Sequence, residues 1–265
     1  MKKILNIMSI TALVLLPILH AQGCSKTVRW YDDEPYSFRQ ADGKVGGFDI
    51  DLMREILRRT GCTAVFVEMP WARALVELEA GRLDILSGTF RSKQREAFAH
   101  FSIPSLQSQN VLYMGPKARA QYRLTTLDDI VGTAFRLGVQ IGVSYGDKFD
   151  TLKANPMFKV NQVPVTLRRK AWKMMELGRI DGMIADEASA TLELQQLGLA
   201  DMVKPSGIVV STTMSMVAFS KRTVSTQFVA SFNRALQSMY EDGEYRKIRV
   251  RYLHCKPASK ILGCT

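Results

Sequence analysis

The chain has 265 residues, of which 46% are hydrophobic and 23% charged, and its formal net charge is +11. Such a length and apolar share are typical of a globular protein with one large domain or two of ordinary size, and they exclude a disordered chain. The charge is compatible with a nucleic acid or an anionic membrane surface as partner. Because the basic residues are spread among apolar faces and form no blocks, we interpret the charge as a property of the solvated surface.

The first 23 residues have the pattern of a secretory signal peptide. Lys2 and Lys3 precede an apolar stretch over 4–19, and small residues follow around Ala21 and Gly23. The apolar stretch is short for a membrane span, and no later segment reaches the length of one. We therefore predict export with cleavage of residues 1–23, and export argues against a nucleic-acid partner. Two cleavage sites, after Ala21 or after Gly23, fit the pattern equally.

Four cysteines follow the signal, an even number in an exported chain, and they are Cys24, Cys62, Cys255 and Cys264. Cys24 and Cys62 each precede a predicted strand, and a crossover helix between the strands would make them parallel neighbours whose beginnings lie side by side. We therefore predict disulfides Cys24–Cys62 and Cys255–Cys264. The alternative for Cys24 is a lipid anchor, which would exclude the first disulfide.

Strand and helix patterns alternate along the chain, as is typical of α/β proteins. In chain order the sequence predicts a strand over 27–31, a helix from Gly47 to Arg59, a strand over 63–68, a helix over 70–80, a strand that breaks at Ser87, a helix after Ser92, an extended segment over 109–114, a strand over 136–141, a helix from Asp147, a strand before Asp186, a helix over 188–197, an extended run over 209–219 and helical structure over 224–253.

Two stretches of the chain resemble each other at an offset of 97 residues. Residues 74–86 and 171–183 both read as the end of a helix, a Gly-Arg-apolar-Asp turn and a buried strand. This echo predicts two lobes of similar local design, although generic punctuation between helix and strand would explain it too. The predicted division is lobe one over 25–115 plus 213–265 and lobe two over 116–212.

The turn between Asp84 and Arg95 gathers groups that bind anions. The strand breaks at Ser87-Gly88-Thr89, and Ser92 stands at the cap position of the next helix, three residues before Arg95. Backbone donors, hydroxyls and a guanidinium can hold a carboxylate or phosphate without a metal. The alternative is that Arg95 belongs to a solvated basic face. We expect no metal or cofactor, since the histidines and cysteines lack ligand spacing.

The turn over 142–146 fits the G-x-S-x-G pattern of a hydrolase nucleophile elbow, with Ser144 as nucleophile. An aspartate and then His254 follow in the order that such a triad needs. However, no HGGG-type segment precedes the turn, and His254 adjoins Cys255. Glycines that bring the backbone donors of Val143 and Ser144 to a ligand explain the same pattern.

Five motifs in sequence resemble those of bacterial periplasmic solute-binding proteins of the polar-amino-acid type, which serve ABC importers. They are 47–52 (Gly-Phe-Asp-Ile-Asp-Leu), 81–84 (Gly-Arg-Leu-Asp), 92–95 with 101–104, 138–145, and 178–181 followed by Asp186. The resemblance covers nearly the whole mature chain. It implies a type II periplasmic-binding-protein fold with a ligand in the cleft between two lobes and two crossing hinge strands. It also implies a monomer in the periplasm and a membrane ABC permease as partner.

The resemblance also implies a role for each candidate site residue. Arg95 would pair with the α-carboxylate of the ligand and Asp186 with its α-ammonium group. Further donors and aromatic contacts would come from Ser87, Gly88, Thr89, Val143, Ser144, Tyr31, Tyr36 and Trp71. Trp30 is a further candidate for the aromatic contact, and Trp71 fits a core position equally well.

The preferred function is capture of a small amino acid or related zwitterion without chemistry. One alternative is an enzyme of the cyclohexadienyl dehydratase type on the same fold, in which Asp186 or Glu187 would act on prephenate or arogenate. Another is a ligand sensor without a transporter. The sequence leaves the side chain of the ligand open.

Overall fold

A computed structural model of the protein describes residues 23–253, in which helices and strands alternate as the sequence predicts. The signal peptide and the Cys255–Cys264 pair lie outside these residues. The strands are β1 Cys24–Trp30, β2 Phe38–Arg39, β3 Val45–Gly46, β4 Cys62–Glu68, β5 Ile85–Thr89, β6 Ala99–Phe101, β7 Leu106–Gln107, β8 Asn110–Met114, β9 Leu137–Gln140, β10 Gln162–Val165, β11 Gly182–Asp186, β12 Lys204–Ser211 and β13 Met214–Ser220.

The helices alternate with these strands and cover the faces of the sheets. They are α1 Phe48–Arg59, α2 Trp71–Ala80, α3 Lys93–Glu96, α4 Pro116–Gln121, α5 Asp147–Lys153, α6 Pro156–Lys159, α7 Arg168–Glu176, α8 Glu187–Gln196, α9 Thr226–Glu241 and α10 Glu244–Tyr252, with a 3₁₀ turn at Leu127–Ile130. Within residues 23–253, no helix combines the length and apolarity needed to span a bilayer.

Two sheets form the centres of two lobes. The first has the strand order β4-β1-β5-β13-β6, with β7 paired to β13, and the second has the order β10-β9-β11-β8-β12. Strands β1, β4 and β5 run parallel, and β13 returns antiparallel beside β5. The mixed α/β fold that the sequence predicts is therefore confirmed.

The chain crosses between the lobes twice. Strand β8, at the extended segment predicted over 109–114, pairs with β11 and β12 and so belongs to the second sheet. The predicted run over 209–219 is two strands, β12 in the second sheet and β13 in the first. On this pairing we propose lobe boundaries at residues 108–109 and 212–213.

The core of lobe one lies on both faces of its sheet. Helix α9 buries Phe232, Leu236 and Met239 against α1 and the sheet, and Phe228 packs on this cluster, as the spacing of these residues predicts. Helix α2 covers the other face through Ala74 and Leu78. In lobe two, separate clusters around Phe135 and Trp172 cover the two faces.

The predicted disulfide Cys24–Cys62 is present. It joins the first residues of β1 and β4, which are opposite each other in the parallel register. The predicted parallel neighbours are thus confirmed. Since the bond uses the thiol of Cys24, it is incompatible with a lipid anchor on that residue.

The start of α1 positions one wall of the cleft. Gly47, with φ of 120°, precedes the helix, and a Cβ there would lie 2.4 Å from the carbonyl oxygen of Tyr36. The amides of Phe48 and Asp49 donate to the carbonyls of Pro35 and Tyr36. This close approach holds the β1–β2 loop and the first turn of α1 against the same cavity.

Candidate functional site

A cavity lies between the lobes at the ends of their strands. Lobe one lines it from β1, α1, α2, β5 and α3, and lobe two from β9, α7, β11 and α8. The cavity leaves about 150 Å³ for the centres of water molecules. Since one water needs roughly 10–15 Å³ by this measure, the space suits a small molecule.

The structure brings most of the predicted site residues to this cavity, namely Tyr36, Trp71, Ser87, Gly88, Arg95, Val143, Ser144 and Asp186. Thr89 is the exception in its turn, because its side chain is buried and its hydroxyl donates to the carbonyl of Leu86. Tyr31 lines a neighbouring cavity. Trp30, a further aromatic candidate, is buried in lobe one.

Arg95 carries a buried guanidinium without an ionic partner among the described residues. Ser92 caps α3 by accepting from the amide of Arg95, as the sequence predicts. The guanidinium donates to the carbonyls of Phe90 at 2.7 Å and Gly142 at 2.9 Å. Burial lowers the pKa of Arg95 from its ordinary value, and the charge of Asp150 opposes this shift. A ligand anion would compensate the guanidinium for its lost hydration.

Asp186 is the counterpart of Arg95 on lobe two. It ends β11 and caps α8, and its Oδ1 accepts from the Tyr36 hydroxyl at 2.9 Å and the Ser189 amide at 3.0 Å. Its Oδ2 is buried and has no hydrogen-bond partner within residues 23–253. Burial raises the pKa of Asp186, while the Ser189 amide and Arg168 oppose the rise. A ligand cation would satisfy this oxygen.

The β5 turn adds neutral groups beside these charges. The Ser87 hydroxyl is buried and lacks a hydrogen-bond partner in the described part of the chain. Gly88 follows with a backbone φ of 66°, a conformation that residues other than glycine rarely adopt. The turn therefore places a buried hydroxyl without a hydrogen-bond partner in the wall of the cavity.

Four charged cavity residues were not among our predictions, namely Arg29, Asp33, Asp49 and Arg168. Two of them had a sequence signal, because Asp33 lies in the polar turn over 32–36 that follows the first strand and Asp49 belongs to the Gly-Phe-Asp-Ile-Asp motif. Arg29 is one residue of a strand, and Arg168 stands in a run of three basic residues at a helix start. Neither position distinguishes a cleft residue from a surface residue.

Arg168 joins the lobes through two carboxylates. Its guanidinium donates to Asp33 Oδ1 of lobe one at 2.6 Å and forms a two-point contact with Glu193 of lobe two at 2.8 and 2.9 Å. Glu193 also accepts from Trp172 Nε1 at 2.6 Å. Burial lowers the pKa of Arg168, but the two carboxylates outweigh it and raise this pKa. Burial likewise opposes the shift of Asp33, whose pKa is lowered by the charges of Arg168 and Arg29.

Asp49 and Arg29 both line lobe one's side of the cavity, and the charge of each acts on the other. Burial, with Asp33 as a second cause, raises the pKa of Asp49 to about 7, and Arg29 opposes this rise. Burial likewise lowers the pKa of Arg29, which the charges of Asp33 and Asp49 partly offset. Arg29 Nε donates to the carbonyl of Met69, and its guanidinium stacks 5.7 Å from the Trp71 ring.

The lobes contact each other directly around the cavity. The carbonyl of Gly142 accepts from Trp71 Nε1 at 3.0 Å as well as from Arg95. Gly142 has φ of 78°, and a Cβ there would approach Leu75 within 3.2 Å, so glycine permits this close approach. Gln196 Nε2 also donates to Glu34 across the cleft at 2.6 Å. The structure therefore shows the closed arrangement of the lobes.

Ser144 does not form a hydrolase triad with the described residues. Its hydroxyl donates to Asp150 at 3.1 Å. The histidine of residues 23–253, His100, lies in β6 of the other lobe, and His254 lies outside the described residues. Nor do residues 23–253 contain a cluster of three potential metal ligands.

Comparison with known proteins places this geometry in a family. Residues 28–254 match the model of the bacterial extracellular solute-binding proteins, family 3, and the chain therefore belongs to that family. The resemblance that the motifs indicate is thus confirmed.

Several curated relatives are similar to the chain. The probable histidine-binding protein of Campylobacter jejuni is 28% identical over 161 residues, which are 59% of this chain and 57% of that relative. The histidine-binding periplasmic protein of Salmonella typhimurium is 23% identical over 227 residues, 82% of this chain and 83% of that protein. The putative ABC transporter arginine-binding protein 2 of Escherichia coli is 25% identical over 215 residues, 81% and 84% of the two chains.

Solved structures share the fold. An ancestral arginine-binding protein bound to arginine superposes with a TM-score of 0.75 at 24% identity, over 89% of this chain and 100% of that one. A mutant of ArgBP from T. maritima gives 0.72 at 23% identity, over 86% and 94%. Similarity at this level of identity establishes the two-lobed architecture.

Proposed function

We propose that the protein binds a free amino acid between its lobes in the periplasm and presents it to an ABC importer. The observation that carries this proposal is the pair formed by Arg95 and Asp186. Each is a buried charge whose pKa is displaced towards the neutral form, and each lies on a different lobe at the same cavity. A zwitterion supplies an anion to Arg95 and a cation to Asp186, and only a closed cleft satisfies both.

Several further features support this function. The relatives bear the names of histidine- and arginine-binding proteins, and one is called periplasmic. The free Ser87 hydroxyl provides an additional donor for a carboxylate. We further propose that the chain is exported by its signal peptide, acts as a monomer and docks on a membrane permease when the lobes close.

The experiment is a thermal-shift and calorimetry panel of L-amino acids on the mature protein. A ligand at a hundred times its dissociation constant should add about 2.7 kcal/mol to the free energy of unfolding and raise the midpoint by roughly 5 to 10 °C. Arg95→Ala and Asp186→Asn should each abolish the shift. The matched control is Arg91→Ala, because Arg91 stands four residues before Arg95 and pairs with Glu96 on the exposed surface.

A wild-type protein that shifts with no amino acid would contradict this function. We also propose that binding proceeds without chemistry. Incubation with prephenate or arogenate should therefore leave both compounds unchanged, and formation of a dehydrated, decarboxylated product would instead assign an enzyme.

A further inference from the structure

We propose that Arg168 makes the cleft selective against amino acids with a cationic side chain, so that the ligand is an amino acid whose side chain is neutral or acidic. This inference rests on the proposed function and narrows it. It separates the protein from those relatives that are named after arginine.

Asp33 lies where a second ligand cation would reach. The hydroxyl of Ser189 donates to Asp33 Oδ1 at 3.2 Å, and the amide of the same residue donates to Asp186 Oδ1 at 3.0 Å. One residue therefore bridges Asp33 and the proposed α-ammonium site. A positive group farther along the ligand's side chain would come next to Asp33.

Arg168 already occupies this position. Its Nη2 atom is 2.6 Å from Asp33 Oδ1, and the guanidinium is fixed from behind by the two-point contact with Glu193. The Arg168 and Glu193 side chains are only 12% and 5% exposed. A planar guanidinium held at both ends loses little freedom and is costly to displace. A ligand cation would have to share Asp33 with a fixed positive charge.

Asp49, another carboxyl at the cavity, does not offer a ligand cation an alternative partner to Asp33. Asp49 lines the same cavity as Arg29, whose positive charge already acts on the Asp49 carboxyl. Arg29 of lobe one and Arg168 of lobe two both act electrostatically on Asp33, and Arg168 also contacts it. Like charges repel more strongly in a partly dehydrated site than in water, and besides burial Arg168 already lowers the pKa of Arg29. The positive charges repel a ligand cation, and Arg168 already occupies the Asp33 carboxylate. Both effects disfavour a basic ligand, and proteins reject wrong ligands by such repulsive and occupied positions.

The first measurement is calorimetry of the wild-type protein with L-alanine, L-serine, L-glutamine and L-glutamate against L-arginine and L-lysine. We expect the best neutral or acidic ligand to bind at least about a hundredfold more tightly than either basic one. Arginine or lysine binding as tightly as the best of the others would overturn the inference while leaving the proposed function intact. Binding of none of the six, nor of any other zwitterion, would overturn both.

The second measurement removes the fixed cation. In the double variant Arg168→Gln/Glu193→Gln the buried amides can hydrogen-bond to each other and Trp172 keeps an acceptor, so no charge is left unpaired behind Asp33. The ratio of the affinity for the best neutral or acidic ligand to the affinity for arginine or lysine should fall by at least about tenfold. The control Lys173→Gln, on the exposed side of the same helix, should leave the ratio unchanged.

The inference is wrong if the double variant folds and binds the neutral ligand but shows no gain in affinity for arginine or lysine. Arg168 would then not determine the selectivity of the cleft. Should the double variant not fold, the wild-type ratio decides alone, since a preference for a basic ligand contradicts the inference by itself.

Discussion

Two buried guanidiniums line the same cleft and have opposite surroundings. Arg95 donates only to backbone carbonyls, whereas Arg168 is held by two carboxylates. The difference shows which contacts compensate each guanidinium for its lost hydration. Arg168 recovers its desolvation within the protein, and Arg95 recovers it only when a ligand brings an anion. One guanidinium therefore serves the closed structure, and the other serves binding.

The largest effect that tests this comparison is the cost of removing Arg168. Arg168→Met leaves Glu193 buried and unpaired, which should lower the free energy of unfolding by about 3–5 kcal/mol. Arg95→Met leaves no charge unpaired and should cost about 1 kcal/mol. Urea unfolding of the ligand-free proteins, followed by circular dichroism, measures both. Equal losses would mean that the two guanidiniums have the same structural role.

The next effect comes from a feature remote from both guanidiniums. Replacing Cys24 and Cys62 together by serine removes the bond between β1 and β4 and should cost about 2–4 kcal/mol. Because the bond lies at the opposite end of β1 from the cleft, ligand affinity should change by less than about twofold. The measurements are urea unfolding and calorimetry of the same double variant. A large loss of affinity would show that lower stability alone explains the effects expected at the cleft.

A third effect extends the comparison to two aspartates. The pKa of Asp49 is raised to about 7 by burial, so the folded protein binds this proton more tightly than the unfolded chain, and stability falls as the pH rises from about 4 to about 7. Because the carboxyl faces the cavity, the loss should be on the order of 1–2 kcal/mol. Asp33, whose pKa Arg168 and Arg29 lower, acts oppositely and loses its contribution only in acid.

Unfolding in urea at pH 5 and pH 8, without ligand, measures this effect. Asp49→Asn should be more stable relative to wild type at pH 8 than at pH 5, because the amide cannot ionise. The same relative stability at both pH values would mean that Asp49 ionises as an exposed carboxyl does.

The smallest effect concerns the hydrogen bond between Tyr36 and Asp186. Tyr36→Phe removes the donor to Oδ1 and should weaken ligand binding by about two- to tenfold, the usual worth of one such bond. Tyr31→Phe is the control, because Tyr31 lines the neighbouring cavity. Calorimetry with the best ligand of the panel measures both variants, and an equal effect of the two would argue against a role of Asp186 in the site.

The sequence by itself determined the fold class, the Cys24–Cys62 bond and the positions of Arg95 and Asp186. The fold class, the disulfide and the candidate Arg95 follow from local signals, namely hydrophobic periodicity, glycine and cap residues, and cysteines that precede neighbouring strands. Asp186 was assigned only through the resemblance to periplasmic solute-binding proteins. The order of the motifs then connected the two charges to opposite lobes. Strand β10 escaped prediction because it is a short edge strand that contains Pro164.

Only the tertiary structure decided which charges meet. Arg168 and Asp33 are 135 positions apart, and nothing in either local sequence indicates that closure brings them within 2.6 Å. The same holds for Thr89, whose hydroxyl turns to its own backbone while Ser87 keeps a free one at the cavity. Periodicity assigns a side chain to a face, but its ionic partner depends on how two lobes close over one cavity.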